Sequence, residues 1–184
     1  LVSGLLSGVN MAQFIASKPT SSLSESIRSL RTSLLLSNVD NPPKVVSVTS
    51  TVPAEGKSTL AMWLAQIAAM SGQKVLLVDC DLRRPSVHRS MEIDNTLSLV
   101  EYLAEDCTLE EAIKKDPVSG VYVLPAKTTQ ANALDLLSSD HMARSIKVFR
   151  NHFDFVVLDA PPILAVSDSK IIGQMVDKML YVVK

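Results

Sequence analysis

The run Thr51-Val52-Pro53-Ala54-Glu55-Gly56-Lys57-Ser58-Thr59 sets a glycine, a lysine and a hydroxyl in an order that can hold phosphate. Such a loop lays backbone N–H groups around phosphate oxygens, sends the lysine to the β and γ phosphates and offers the hydroxyl to Mg²⁺. It fits the P-loop pattern G-x-x-x-x-G-K-[ST] except that Thr51 stands at the first glycine. Lys57 could be an ordinary surface lysine, but a cation at a helix start opposes the positive end of the helix unless an anion is present. Ser58 could be an ordinary helix residue, yet its oxygen also suits magnesium, a hard cation.

Three aspartates complete the set. Asp79 and Asp81 close the run Val75-Leu76-Leu77-Val78-Asp79-Cys80-Asp81, and Asp159 closes Phe155-Val156-Val157-Leu158-Asp159. Each follows a continuous apolar segment of the kind buried on both faces of a parallel sheet. Two residues apart on extended chain, Asp79 and Asp81 should point to one side and can face one metal. After Asp159, Ala160-Pro161-Pro162 turns the chain sharply, because prolines cannot continue strand pairing. Ligands of open parallel sheets bind at such carboxyl ends, so the three elements read as one site for ATP and Mg²⁺.

The elements that must position these residues are legible. Leu23, Ile27, Leu30 and Leu34 recur at helical spacing over Ser22 to Leu36, with Ser22 or Ser24 as N-cap. Lys44 to Ser50 is a β-branched strand feeding the loop, and Ser58 to Ser71 an apolar helix closed by Gly72. Further strands are expected at Val75 to Val78, Val121 to Leu124, Phe155 to Leu158 and Met179 to Val183. Between them lie a polar, arginine-rich stretch from Asp81 to Asn95 and short helices at Leu97 to Leu103, after Thr108, Leu134 to Ser138, Asp140 to Phe149 and Ser167 to Met175. Thr108 and Glu111 have capping-box spacing. Alternating strands and helices predict an α/β fold: one doubly wound, mostly parallel sheet of the P-loop NTPase kind in a single domain.

Composition bounds the partners. The 184 residues are 47% hydrophobic with a net charge of -1, enough for one good core and too balanced for general attraction to nucleic acid or an anionic surface. No nucleic-acid partner is expected. Cys80 and Cys107 lack metal or redox spacing and read as reduced cytosolic thiols. His88, His141 and His152 have no metal-ligand spacing. Residues 1–18 read as a linker too short and broken to span a bilayer, 19–184 as the domain, and the chain as a fragment of a longer product truncated at its C-terminus.

Asp79-Cys80-Asp81-Leu82-Arg83-Arg84-Pro85 and Val156-Val157-Leu158-Asp159-Ala160-Pro161-Pro162 resemble the second and third Walker-type motifs of the bacterial tyrosine kinases of exopolysaccharide and capsule assembly. Glu25-Ser26-Ile27-Arg28-Ser29-Leu30-Arg31 resembles that family's E-x-x-R-x-x-R element, and the likeness runs from about Pro19 to the end. The resemblance implies a Mg-ATP-dependent protein tyrosine (auto)kinase on the cytoplasmic face of the inner membrane. It would regulate polysaccharide synthesis and export. Its partners would be a polysaccharide co-polymerase domain or membrane activator, and neighbouring subunits of a ring whose tyrosine-rich tails are the acceptors.

Carried over by position, residues 51–59 would bind nucleotide and Lys57 the β and γ phosphates. Ser58, Asp81 and Asp159 would hold the metal, and Asp79 would accept or orient the tyrosine proton. Glu25, Arg28 and Arg31, on the stripe opposite the leucines, should look outward as either a solvated face or a subunit contact.

Three departures stand out. Trp63 replaces an asparagine common in relatives, the turn Ala126 to Ala133 lacks their glycine and prolines, and only Tyr102, Tyr122 and Tyr181 are present. Arg83 and Arg84 can be solvated loop charges or contacts to phosphate or a partner. The competing function is a non-kinase ATPase switch of the partition and division-site type. Such proteins carry an extra lysine where this chain has Val52.

Overall fold

The computed structural model describes residues 11–129, 133–164 and 168–183. Along the chain run α1 (Met11–Ser17), α2 (Ser22–Leu36), β1 (Val45–Ser50), α3 (Lys57–Met70), β2 (Val75–Asp79) and α4 (Val87–Ser90). Then come α5 (Leu99–Leu103), α6 (Leu109–Ala112), β3 (Lys114–Lys115), β4 (Tyr122–Leu124), α7 (Ala133–Leu137), α8 (Asp140–His152), β5 (Phe155–Asp159), α9 (Asp168–Gln174) and β6 (Lys178–Val182). The strands form one sheet in the order β3-β4-β2-β5-β1-β6, parallel throughout except for β3 against β4.

Period-two alternation divides the core. Val75, Leu77, Phe155, Val157, Val46 and Val48 face α3, whereas Leu76, Val78, Val156, Leu158 and Val45 face the layer of α5, α7, α8 and α9. The sheet is therefore covered on both faces, which is why its inner strands read as unbroken apolar runs. Helix α3 is apolar nearly all round because α1 and α2 cover the side that the sheet does not. Gly72, at φ 92°, ends it.

The expected elements appear within one to three residues, α8 running on to His152, and the short α4 forms inside the stretch 81–95 that carries no helical periodicity; the differences have physical causes. The N-cap of α2 is Ser21, not Ser22 or Ser24: its hydroxyl accepts from Ser24 N–H, and the Ser24 hydroxyl turns back to Lys18 O. Part of the expected linker is ordered as α1, whose Ile15 is buried with Ile27, Trp63 and Ile67. Trp63 is thus a core residue between helices, which accounts for its bulk at that position. The Thr108 and Glu111 capping box forms as its spacing predicts, and a second joins Ser98 and Glu101. Strand β3, only two lysines long, carries no apolar pattern that would announce it. The turn at 127–132 lies partly outside the described residues. No helix among the described residues is long and apolar enough to cross a membrane.

Candidate nucleotide site

The parallel register puts the two acid-ended strands side by side. Asp79 on β2 pairs with Asp159 on β5, and β5 pairs in turn with β1, which delivers the phosphate-type loop. Asp79 shares the pleat of Leu77, and Asp159 that of Val157, so both aspartates lie on the α3 side of the sheet.

At the start of α3 the loop reverses through left-handed backbone at Ala54 (φ 66°) and Gly56 (φ 94°). Gly56 meets no atom that a Cβ would strike, so φ alone requires glycine there. Thr51 has no positive φ, so its place does not demand the glycine that the pattern expects.

The Lys57 ammonium lies 3.0 Å from Asp81 Oδ2 and 3.3 Å from Asp159 Oδ1, and donates to Ser58 Oγ at 3.2 Å. Lys57, Asp81 and Asp159 are all buried. Burial alone would lower the lysine's pKa, but Asp159 and Asp81 together outweigh it and hold the ammonium above its ordinary value. Asp159 is displaced upward, chiefly by burial, which its attraction to Lys57 offsets only in part. Its Oδ2 is buried without a hydrogen-bond partner, a costly arrangement for a carboxylate oxygen and one that a cation or its water would relieve. Ser58, Asp81 and Asp159 are hard oxygen donors, so they fit magnesium held by few protein ligands and substrate phosphates. No closed cage of three or more acidic, histidine or cysteine ligands exists among the described residues.

The structure separates the two aspartates that alternation placed on one metal. Asp79 accepts from Asp81 N–H at 3.1 Å through Oδ1, and from Ser86 N–H (3.0 Å) and Val87 N–H (3.1 Å) through Oδ2. It is wholly buried and pins the loop that follows β2. Burial, then the like charge of Asp159, pushes its pKa up to about 7 against those three donors. Asp81 instead reaches Lys57, while its Oδ1 accepts Arg84 N–H at 3.0 Å. Between them the Cys80 thiol is held well above its ordinary range, by burial first and then by the neighbouring aspartates, and is inert as a nucleophile.

The paired arginines also part. Arg83 reaches the buried Asp168 at the start of α9 (Nε to Oδ2 3.1 Å), joining the loop after β2 to the segment after β5. The Arg84 side chain is exposed. Two contacts of the phosphate-type loop were not foreseen. Glu55 Oε2 accepts the N–H groups of both Thr51 and Val52, at 2.8 and 2.9 Å, and the Thr51 hydroxyl donates to the Tyr181 hydroxyl at 3.1 Å. A carboxylate a few residues past a strand end was the available signal for the first; the second depends on the β1 to β6 register.

The α2 charges are not uniformly outward. Glu25 and Arg28 pair at 2.9 Å, and Arg28 also donates to Pro19 O. Arg31, expected on the solvent stripe, folds onto Gln73 Oε1 (2.7 and 3.2 Å), because α2 packs beside α3 and brings the turn after α3 within reach.

A family model described as an AAA domain matches residues 43–182. Tyrosine-protein kinase YwqD of Bacillus subtilis (strain 168) is 38% identical over 166 residues, 90% of this chain and 70% of that protein. Tyrosine-protein kinase etk of Escherichia coli (strain K12) is 33% identical over 95% of this chain, which spans 24% of that longer protein. The solved kinase domain of Escherichia coli ETK superposes with a TM-score of 0.87 at 34% identity, covering 91% of this chain and 66% of that one. The septum site-determining protein MinD of Pyrococcus horikoshii OT3, solved with Mg-ADP, superposes less closely: TM-score 0.66, 25% identity, 76% of this chain and 57% of that one. With its P-loop architecture and acid-ended strands, this chain belongs to the bacterial tyrosine-protein kinase family.

Proposed function

We propose that the chain binds ATP with Mg²⁺ through residues 51–59 and transfers the γ-phosphoryl group to protein tyrosine. The observation that carries this is the meeting of Lys57, Ser58, Asp81 and Asp159 within 3.3 Å of the lysine ammonium at the carboxyl ends of β1, β2 and β5. Lys57 neutralises and orients the β and γ phosphates, and the loop N–H groups fix their position. Ser58, Asp81 and Asp159 would hold Mg²⁺, which supplies charge neutralisation at the transferring phosphate when bound. Asp79, whose pKa burial pushes up to about 7, would take the tyrosine proton. Positioning and electrostatics dominate, since phosphoryl transfer asks little covalent chemistry of the protein.

Incubating the protein with labelled ATP, Mg²⁺ and a tyrosine-rich peptide, followed by phosphoamino-acid analysis, tests this reading. Phosphotyrosine is the expected product. Free phosphate alone would overturn the reading in favour of an ATPase switch.

The biological setting follows the same reading: control of exopolysaccharide or capsule synthesis, beside a co-polymerase domain or activator at the inner membrane, in a ring where tyrosine-rich tails meet neighbouring sites. Glu25 and Arg28 are exposed or half-exposed on α2 and can exchange their mutual pair for one with a neighbour. Alanine at both Arg28 and Arg31 should lower the sedimentation coefficient of the assembled protein while leaving its helical content unchanged. An unchanged coefficient would remove α2 from the interface.

A further inference from the structure

Thr51 departs from the glycine of its pattern, and every polar group it carries is engaged. Its N–H goes to Glu55 within the loop, its carbonyl accepts from Leu164 N–H after β5 at 3.2 Å, and its hydroxyl goes to Tyr181 on β6 at 3.1 Å. It is the point where the loop, the chain leaving β5 and the edge strand are tied together. Glycine could supply the first two bonds but not the third. Register brings the partner there: Tyr181 pairs with Thr49 and Val182 with Ser50, so the tyrosine lies beside the end of β1 and its hydroxyl reaches the loop that follows.

The other tyrosines serve elsewhere. The Tyr102 hydroxyl accepts from buried Ser145, and the Tyr122 ring lies under the ammonium groups of Lys74 and Lys115. Tyr181 is 48% exposed, on an edge strand, with its hydroxyl at the loop's entrance.

We propose that Tyr181 is a positioning residue for nucleotide binding: its hydroxyl fixes Thr51, and through Thr51 the first half of the phosphate loop, in the shape that aims the following N–H groups at the phosphates. This deepens the reading of residues 51–59 as a nucleotide site and rests on it. Because the pair orders the loop before nucleotide arrives, its removal adds an ordering cost to binding and leaves the groups that act during transfer in place.

The test is a cycle of Tyr181→Phe, Thr51→Val and the double variant, with Thr51→Ser as the conservative control. Mg-ATP affinity, KM and kcat for peptide phosphorylation, and the thermal midpoint are measured on each. One neutral, partly exposed hydrogen bond predicts a rise of roughly 2- to 10-fold in Kd and KM for either single variant, with kcat little changed. The double variant should be no worse than the singles, because both remove the same bond. Thr51→Ser should bind like the parent protein. Additive losses, equal binding by Tyr181→Phe, or a fall in thermal midpoint without a change in affinity would each overturn the proposal. If the parent protein binds no Mg-ATP, the nucleotide reading falls and this inference with it; if it binds and the variants match it, only this inference falls.

Discussion

Replacing Lys57 with methionine should abolish tyrosine phosphorylation and also weaken the fold, by an amount that grows with pH. The catalytic part follows from the loss of the buried cation that meets the phosphates: removal of one preorganised charge-stabilising group costs at least about 100-fold in rate. The stability part follows from what remains. Asp81 and Asp159 flank the ammonium at 3.0 and 3.3 Å, both buried, and methionine leaves two carboxylates facing each other without a counter-ion. Breaking a buried ion pair from one side costs about 3–5 kcal/mol.

Protonation is the escape, and its sign is fixed. Burial already holds the Asp159 pKa above its ordinary value, and loss of the lysine drives it further up. A carboxylate whose folded pKa is raised favours the fold below its unfolded pKa and loses that contribution as pH rises through the folded value. Lys57, which Asp159 and Asp81 hold above the ordinary lysine value, stays charged through this whole window in the parent protein. Urea unfolding of Lys57→Met against the parent should therefore show a small deficit near pH 5 and a large one near pH 8. Equal deficits at both would mean that the ammonium does not hold these carboxylates in solution.

How much of this was legible in the sequence differs between the scaffold and the side chains. Helix α2 matches its expected span because four apolar residues at helical spacing need only one face to pack against. The inner strands were readable because a sheet covered on both faces needs continuous apolar runs, and the Thr108 and Glu111 box because its bonds are local. The convergence of Lys57, Ser58, Asp81 and Asp159 follows once β1, β2 and β5 are neighbours. What alternation could not supply was the path of the chain beyond a strand's last residue. Asp79 turns to Ser86 and Val87 because the loop doubles back over β2, and nothing in the spacing of Asp79 and Asp81 encodes that return. Arg31 misled for a related reason. A charged stripe shows which side of a helix is polar, but not that Gln73 stands beside it.

The same return of the loop makes Asp79→Asn the most discriminating single change at the site. Asp79 carries two assignments: proton acceptor for the tyrosine, and anchor of the loop through three backbone N–H groups. Asparagine separates them. Its carbonyl oxygen can keep the Ser86 and Val87 bonds, at the cost of turning an amide NH₂ toward Asp81 N–H, a local penalty of about 1–3 kcal/mol. Against that, the neutral amide no longer buries a negative charge beside Asp159, and burial already pushes the pKa of the acid it replaces up to about 7. The thermal midpoint near pH 7 should therefore move little, and Mg-ATP affinity should stay within about twofold because Lys57 and the loop are untouched.

Proton acceptance is lost outright, so phosphotyrosine formation should fall by about 10² to 10⁴. Stability should also become less dependent on pH between about 4 and 7. In the parent protein the raised Asp79 pKa favours the fold at low pH and loses that contribution as pH climbs to 7, whereas asparagine does not titrate. Asp79→Ala removes all three acceptor bonds as well, and should be clearly less stable than the asparagine variant. If Asp79→Asn keeps more than about a tenth of the parent's phosphorylation rate, the carboxylate serves as an anchor alone, and the tyrosine proton must leave by another route.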